Sequence, residues 1–108
     1  MRNNYQPSKV DANQPGIVKA FRKLGYYVKH VHEQSHFVDI IVMKAGVVAM
    51  VEIKDNAKVP SARKLTPGEQ KFRDAWTING GNWFLVEGLE DVFTVDKFYK
   101  EQARDPFT

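Results

Sequence analysis

The stretch from Asp39 to Lys54, DIIVMKAGVVAMVEIK, constrains this chain more than any other part of it. Two apolar, β-rich runs meet at Ala45-Gly46, and charged residues stand at Asp39, Glu52 and Lys54, the open end of an otherwise oily hairpin. A two-residue turn at Ala45-Gly46 pairs Lys44 with Val47, and counting back sets Asp39 across from Glu52. Directly opposed residues have Cβ atoms about 4.5–5.5 Å apart. Ala-Gly is a mediocre turn pair, and a bulge at Gly46 would shift the register by one, so the sequence leaves both registers open. Side chains alternate along a strand, which puts Glu52 and Lys54 on one face and Ile53 on the other. Two carboxylates and an ammonium then converge on one patch of sheet, a set that suits a divalent cation with a water molecule beside it.

The same three charges could also be ordinary polar strand ends, since carboxylates are mostly exposed. The run Val47–Val51 counts against that. A strand apolar on both faces belongs inside a sheet, and charges directly after it need a cleft or a ligand.

A chain of 108 residues is expected to form one domain. We read residues 1–10, interrupted by Pro7, as a flexible arm, 11–101 as the domain and 102–108 as a tail. The 43% hydrophobic content argues for a folded globule. The absence of cysteine excludes a disulfide framework and thiolate zinc, and fits a cytoplasmic setting. No apolar run approaches the roughly 18 residues of a membrane span, and Met1-Arg2-Asn3-Asn4 lacks a signal-peptide core. A net charge of +3 permits a polyanionic partner without specifying one.

Along the chain, a first helix is expected to start between Asp11 and Pro15 with Asn13 as N-cap, bury Ile17, Val18, Phe21 and Leu24, and end at Gly25. A strand over Tyr26–Val31 and a polar turn at Glu33–His36 lead into strands Phe37–Lys44 and Val47–Lys54. Residues 55–65 form a basic loop in which Pro60 excludes a central strand. Thr66-Pro67-Gly68-Glu69 is a capping box opening a helix that presents Phe72, Ala75 and Trp76 and stops near Gly80-Gly81. Trp83-Phe84-Leu85-Val86 reads as a buried strand, and Val92, Val95, Phe98 and Tyr99 as a terminal helix. The order is α-β-β-β-α-β with an added C-terminal helix, an α/β chain.

An Asp, a strand-length gap and Glu-x-Lys form the signature of the PD-(D/E)xK nuclease superfamily. With Asp11-Ala12-Asn13-Gln14, Gly25, Val38-Asp39-Ile40, Glu52-Ile53-Lys54-Asp55 and Leu65-Thr66-Pro67-Gly68-Glu69, the chain resembles its VRR-NUC (virus-type replication–repair nuclease) branch. That resemblance implies a restriction-endonuclease-like core, with a mixed central sheet carrying the active site on adjacent strands. It implies a metal-dependent endonuclease on DNA, selective for branched, flapped or four-way structures. Mg²⁺ or Mn²⁺ would be held by Asp39, Glu52 and the backbone carbonyl of Ile53, while Lys54 would hold the attacking water. Gln14 falls where the family often has an acidic residue on the first helix, and Glu69 where it has Gln or Glu on the second. Both are supporting candidates, although capping Thr66 would by itself explain Glu69. The family usually carries Pro before the Asp, with glycines upstream; this chain has Ser35-His36-Phe37-Val38 there.

Lys58, Arg63, Lys64 and Lys71, with Arg73, are candidates for DNA phosphate contacts, or else an ordinary solvated surface. His30 and His32 alternate on one strand face, but without cysteine or a third ligand at a telling spacing they speak against zinc. The lone-domain phage-type relatives that the chain resembles suggest a homodimer in a bacterial or phage-infected cell. Trp76, Trp83, Phe93, Phe98, Tyr99 and Phe107 could supply its interface or pack internally. A helicase or replication–repair partner, or a binding module that has lost turnover, with neutral Gln14 as its only hint, stand as alternatives. Nothing resembles a recognition helix, so no sequence specificity is readable.

Overall fold

The computed structural model describes residues 10–33 and 37–102. Most of the expected arm, residues 34–36 of the expected polar turn, and the tail beyond Gln102, Phe107 included, lie outside the described residues. The elements run α1 (Gln14–Lys23), β1 (Tyr27–His30), β2 (Ile40–Lys44), β3 (Val47–Ile53), a short 3₁₀ turn (Pro60–Arg63), α2 (Pro67–Ile78), β4 (Asn82–Val86) and α3 (Leu89–Gln102). This is the expected order. The strands form one sheet in the order β1-β2-β3-β4, antiparallel through β3 and parallel between β3 and β4, so the sheet is mixed.

The hairpin settles its own register. Lys44 pairs with Val47 and Ile40 with Val51, as a two-residue turn requires. Ala45 and Gly46 both have positive φ, 53° and 79°, the backbone of a type I′ turn whose twist matches the flanking strands.

One sheet face carries the core. Val28, Ile40, Val42, Ala49, Val51, Ile53 and Val86 pack against Ile17, Val18 and Phe21 of α1 and Val92, Val95 and Tyr99 of α3. Alternation sends Phe84 to that face, where it meets Phe98 of α3 edge-on at 5.2 Å. Trp83 goes to the other face, under the Arg73 guanidinium of α2 at 5.8 Å. Thus α1 and α3 cover one side and α2 the other. α2 buries no residue fully and holds on through half-buried Phe72 and Trp76.

Two expectations need correction. In Trp83-Phe84-Leu85-Val86 only Val86 is fully buried. An apolar run does not distinguish a central strand from an edge strand roofed by a loosely seated helix. Asn13 occupies the N-cap position of α1 but makes no cap hydrogen bond, because its backbone is helical and its Nδ2 is turned to the Lys54 and Glu87 carbonyls, which leaves Oδ1 without a partner.

Candidate active site

The C-terminal end of β3 brings the charges together. Glu52 and Lys54 share a face, with Lys54 Nζ 3.5 Å from Glu52 Oε2. From the end of β2, Asp39 Oδ2 accepts the Ile53 N–H at 2.7 Å, and the Asp39 N–H donates to the Val51 carbonyl at 3.2 Å. Asp39 and Glu52 therefore meet across the two strands, close enough for each carboxyl to shift the other. The N–H and C=O of a strand residue point toward the same neighbour, so the Ile53 carbonyl is aimed at the Asp39 side.

α2 contributes the fourth group. Thr66 Oγ1 accepts the Glu69 N–H at 3.1 Å and Glu69 Oε1 accepts the Thr66 N–H at 2.9 Å, which closes the capping box. The same Oε1 takes Lys54 Nζ at 3.0 Å. Glu69 thus caps its helix and orients the lysine at once, which joins the two readings that the sequence held apart.

The electrostatics follow from burial. The Glu52 side chain is 5% exposed. Burial first, then the Asp39 and Glu69 charges, push its carboxyl up to about 9. Burial also raises Asp39, against the lowering effect of the Ile53 N–H. Burial works against the Lys54 ammonium, but its hydrogen bond to Glu69 and the neighbouring carboxylate charges hold its pKa above the ordinary lysine value. Burial would raise Glu69 too; the Thr66 N–H and Lys54 outweigh it and keep Glu69 ionised.

Two carboxyls that resist being ionised together form a site for which a cation is the natural partner. Asp39, Glu52 and the Ile53 carbonyl could hold a hard divalent ion, which commonly takes one or two carboxylates and retains waters. Among the described residues no three His, Asp or Glu side chains are grouped to bind a metal without such help, and none joins His30 and His32.

Gln14, in the first turn of α1, is 2% exposed, and neither polar atom of its amide has a hydrogen-bond partner. A buried amide without a partner is suited to a ligand or water. Of the basic candidates, Lys58 is committed to Asp11 at 2.6 Å and Arg63 to Glu87 at 3.1 Å. Arg73 pairs with Asp74 at 2.9 Å, whereas Lys64 and Lys71 are exposed. Sequence reasoning missed Asp11, whose charge reaches Asp39, and the bridging amide of Asn13. An Asp three residues before a helical run carries no signal of either kind.

No family model matches the sequence, and no curated protein matches it. Among solved structures, the chain is similar to one described as "VRR_NUC domain", with a TM-score of 0.62 and 23% identity, over 82% of this chain and 99% of that one. The chain therefore has the restriction-endonuclease-like fold of a VRR_NUC domain.

Proposed function

We propose that this chain is a metal-dependent endonuclease that hydrolyses DNA phosphodiester bonds. The observation that carries the reading is the Lys54 ammonium held between Glu52 and Glu69, with Asp39 facing Glu52 across the strands. When bound, Mg²⁺ or Mn²⁺ would supply charge stabilisation and a more acidic water. Asp39 and Glu52 would hold the ion, with the Ile53 carbonyl beside them. Lys54 holds the attacking water toward the phosphorus and offsets charge gathering on the non-bridging oxygens. Its compact ammonium suits the narrow space between two carboxylates, and a planar guanidinium would not. Glu69 keeps that ammonium in place, and exposed Lys64 and Lys71 are the basic residues best placed to meet substrate phosphates.

The substrate is branched, flapped or four-way DNA, cut by a homodimer because a domain with one site needs a second copy to cut both strands. Exposed Leu89 and Phe93, one turn apart on α3, support a contact between copies. The neutral Gln14 favours, as a second reading, a catalytically weak DNA-binding module or a subunit acting with a helicase. Incubation with linear, flapped and four-way DNA in Mg²⁺, Mn²⁺ or EDTA tests the proposal. Cleavage in either metal, absent in EDTA and fastest on the branched forms, is the expected result; binding without cleavage would leave the second reading.

A further inference from the structure

Asn13 stands at the N-cap position of α1 with a helical backbone, φ −84° and ψ −7°, not the extended one from which a side chain caps; it makes no cap hydrogen bond and its Oδ1 has no partner. An asparagine cap contributes about 1 kcal/mol. Here the side chain is turned away from its own helix. Its Nδ2 donates to the Lys54 carbonyl at 3.1 Å and to the Glu87 carbonyl at 3.2 Å. Those carbonyls lie one residue past the ends of β3 and β4. The two chain segments are already tied to each other by Lys54 N–H to the Val86 carbonyl at 3.1 Å and Asn56 N–H to the Glu87 carbonyl at 3.1 Å. Asn13 closes a junction of α1, β3 and β4 at the backbone of Lys54. A primary amide suits the task, since one nitrogen offers two protons to two carbonyls.

We infer that Asn13 is a positioning residue for Lys54. The lysine is held twice: Glu52 and Glu69 take the ammonium, and Asn13 fixes the backbone from which its flexible stem departs. Without the bridge, the strand end can shift, and a displacement of about 1 Å in a reacting group can lower a rate 10²-fold. The consequence for rate rests on the nuclease reading; the junction itself does not.

Asn13→Ser tests both parts. Asn13 makes no cap hydrogen bond, so serine takes none away from the start of α1, and serine cannot bridge the two carbonyls. Should it lower Tm by more than a few degrees, the near-isosteric Asn13→Asp is the second variant. Amide hydrogen exchange is expected to quicken at least about tenfold at Lys54 and Asn56 and to stay unchanged at Val42 and Val51 inside the sheet. Unchanged protection at Lys54 and Asn56 overturns the junction whatever the activity. In kinetics, kcat falls at least about tenfold with KM for DNA unchanged, and the substitution costs nothing further in a Lys54→Ala background. An equal loss in that background overturns action through Lys54. A parent that cuts no DNA in Mg²⁺ or Mn²⁺ overturns the nuclease reading and the rate consequence with it, while the exchange comparison still decides the junction.

Discussion

Glu52 holds a proton that an unfolded chain would release. Its carboxyl, raised to about 9 by burial and by Asp39, stays protonated where the unfolded residue is already ionised. Between the ordinary glutamate value and about 9 the folded state therefore binds more protons, and stability falls as pH rises through that window. Melting curves in EDTA should show Tm declining across it, and Glu52→Gln should remove most of the decline. A parent with flat Tm would contradict the burial argument. Glu52→Gln and Asp39→Asn should also weaken Mn²⁺ binding, which calorimetry reads directly. Lys54→Ala should lower cleavage by at least about 10²-fold while stability moves within about 1 kcal/mol. Equal rates in the parent and Lys54→Ala would remove the lysine from the chemistry. The juxtaposition of Asp39, Glu52 and Lys54 was legible because a two-residue turn and a period of two fix which side chains meet. The role of Asn13 was not, since its partners lie 41 and 74 residues away and helix-start signals are local.

Among the elements, the β2–β3 turn carries strain that can be relieved. Ala45 holds φ at 53°, a left-handed conformation that costs a Cβ-bearing residue about 1 kcal/mol, and Asn tolerates it better. Ala45→Asn should raise stability by about 0.5–1 kcal/mol, measured by denaturant unfolding. A loss of stability would mean that the alanine methyl is needed in packing. α3 is fastened differently. Buried Asp96 accepts the Tyr26 hydroxyl at 2.8 Å and lies 3.8 Å from Lys44 Nζ and 3.4 Å from Lys100 Nζ. Asp96→Ala would leave the buried Tyr26 hydroxyl without its acceptor, while Lys44 keeps the Leu24 carbonyl and Lys100 keeps water, and should cost about 1–3 kcal/mol. The capping box of α2 and the order of elements could be read from the sequence, because each signal spans a few residues. The edge position of β4 could not, since it depends on what lies beyond the strand.

At the scale of the molecule, most aromatic residues that suggested an interface are absorbed internally. Tyr99 is buried, Phe98 packs on it and on Phe84, and Trp76 stacks on Phe72 while donating to the Asn82 carbonyl at 2.9 Å. Of those among the described residues, Phe93 remains, 59% exposed. The proposed homodimer consequently rests on a narrower patch than the sequence suggested, and Leu89→Lys with Phe93→Lys should prevent it. Light scattering at micromolar concentration would show twice the 12.4 kDa chain mass for the parent and a single mass for the variant. A parent of single mass, with or without four-way DNA, would leave a nicking monomer.

α2 anchors the lysine through Glu69, yet none of its residues is fully buried. Apolar burial sets the energy at which a segment opens, so this helix should detach from the sheet at lower energy than the α1–α3 side unfolds. Catalytic competence and global folding would then have separate thresholds. In a urea titration, cleavage should disappear while the far-ultraviolet signal of the sheet and the other two helices is still near its native value. On the nuclease reading, cleavage would be switched off by mild denaturant long before the chain is unfolded by it.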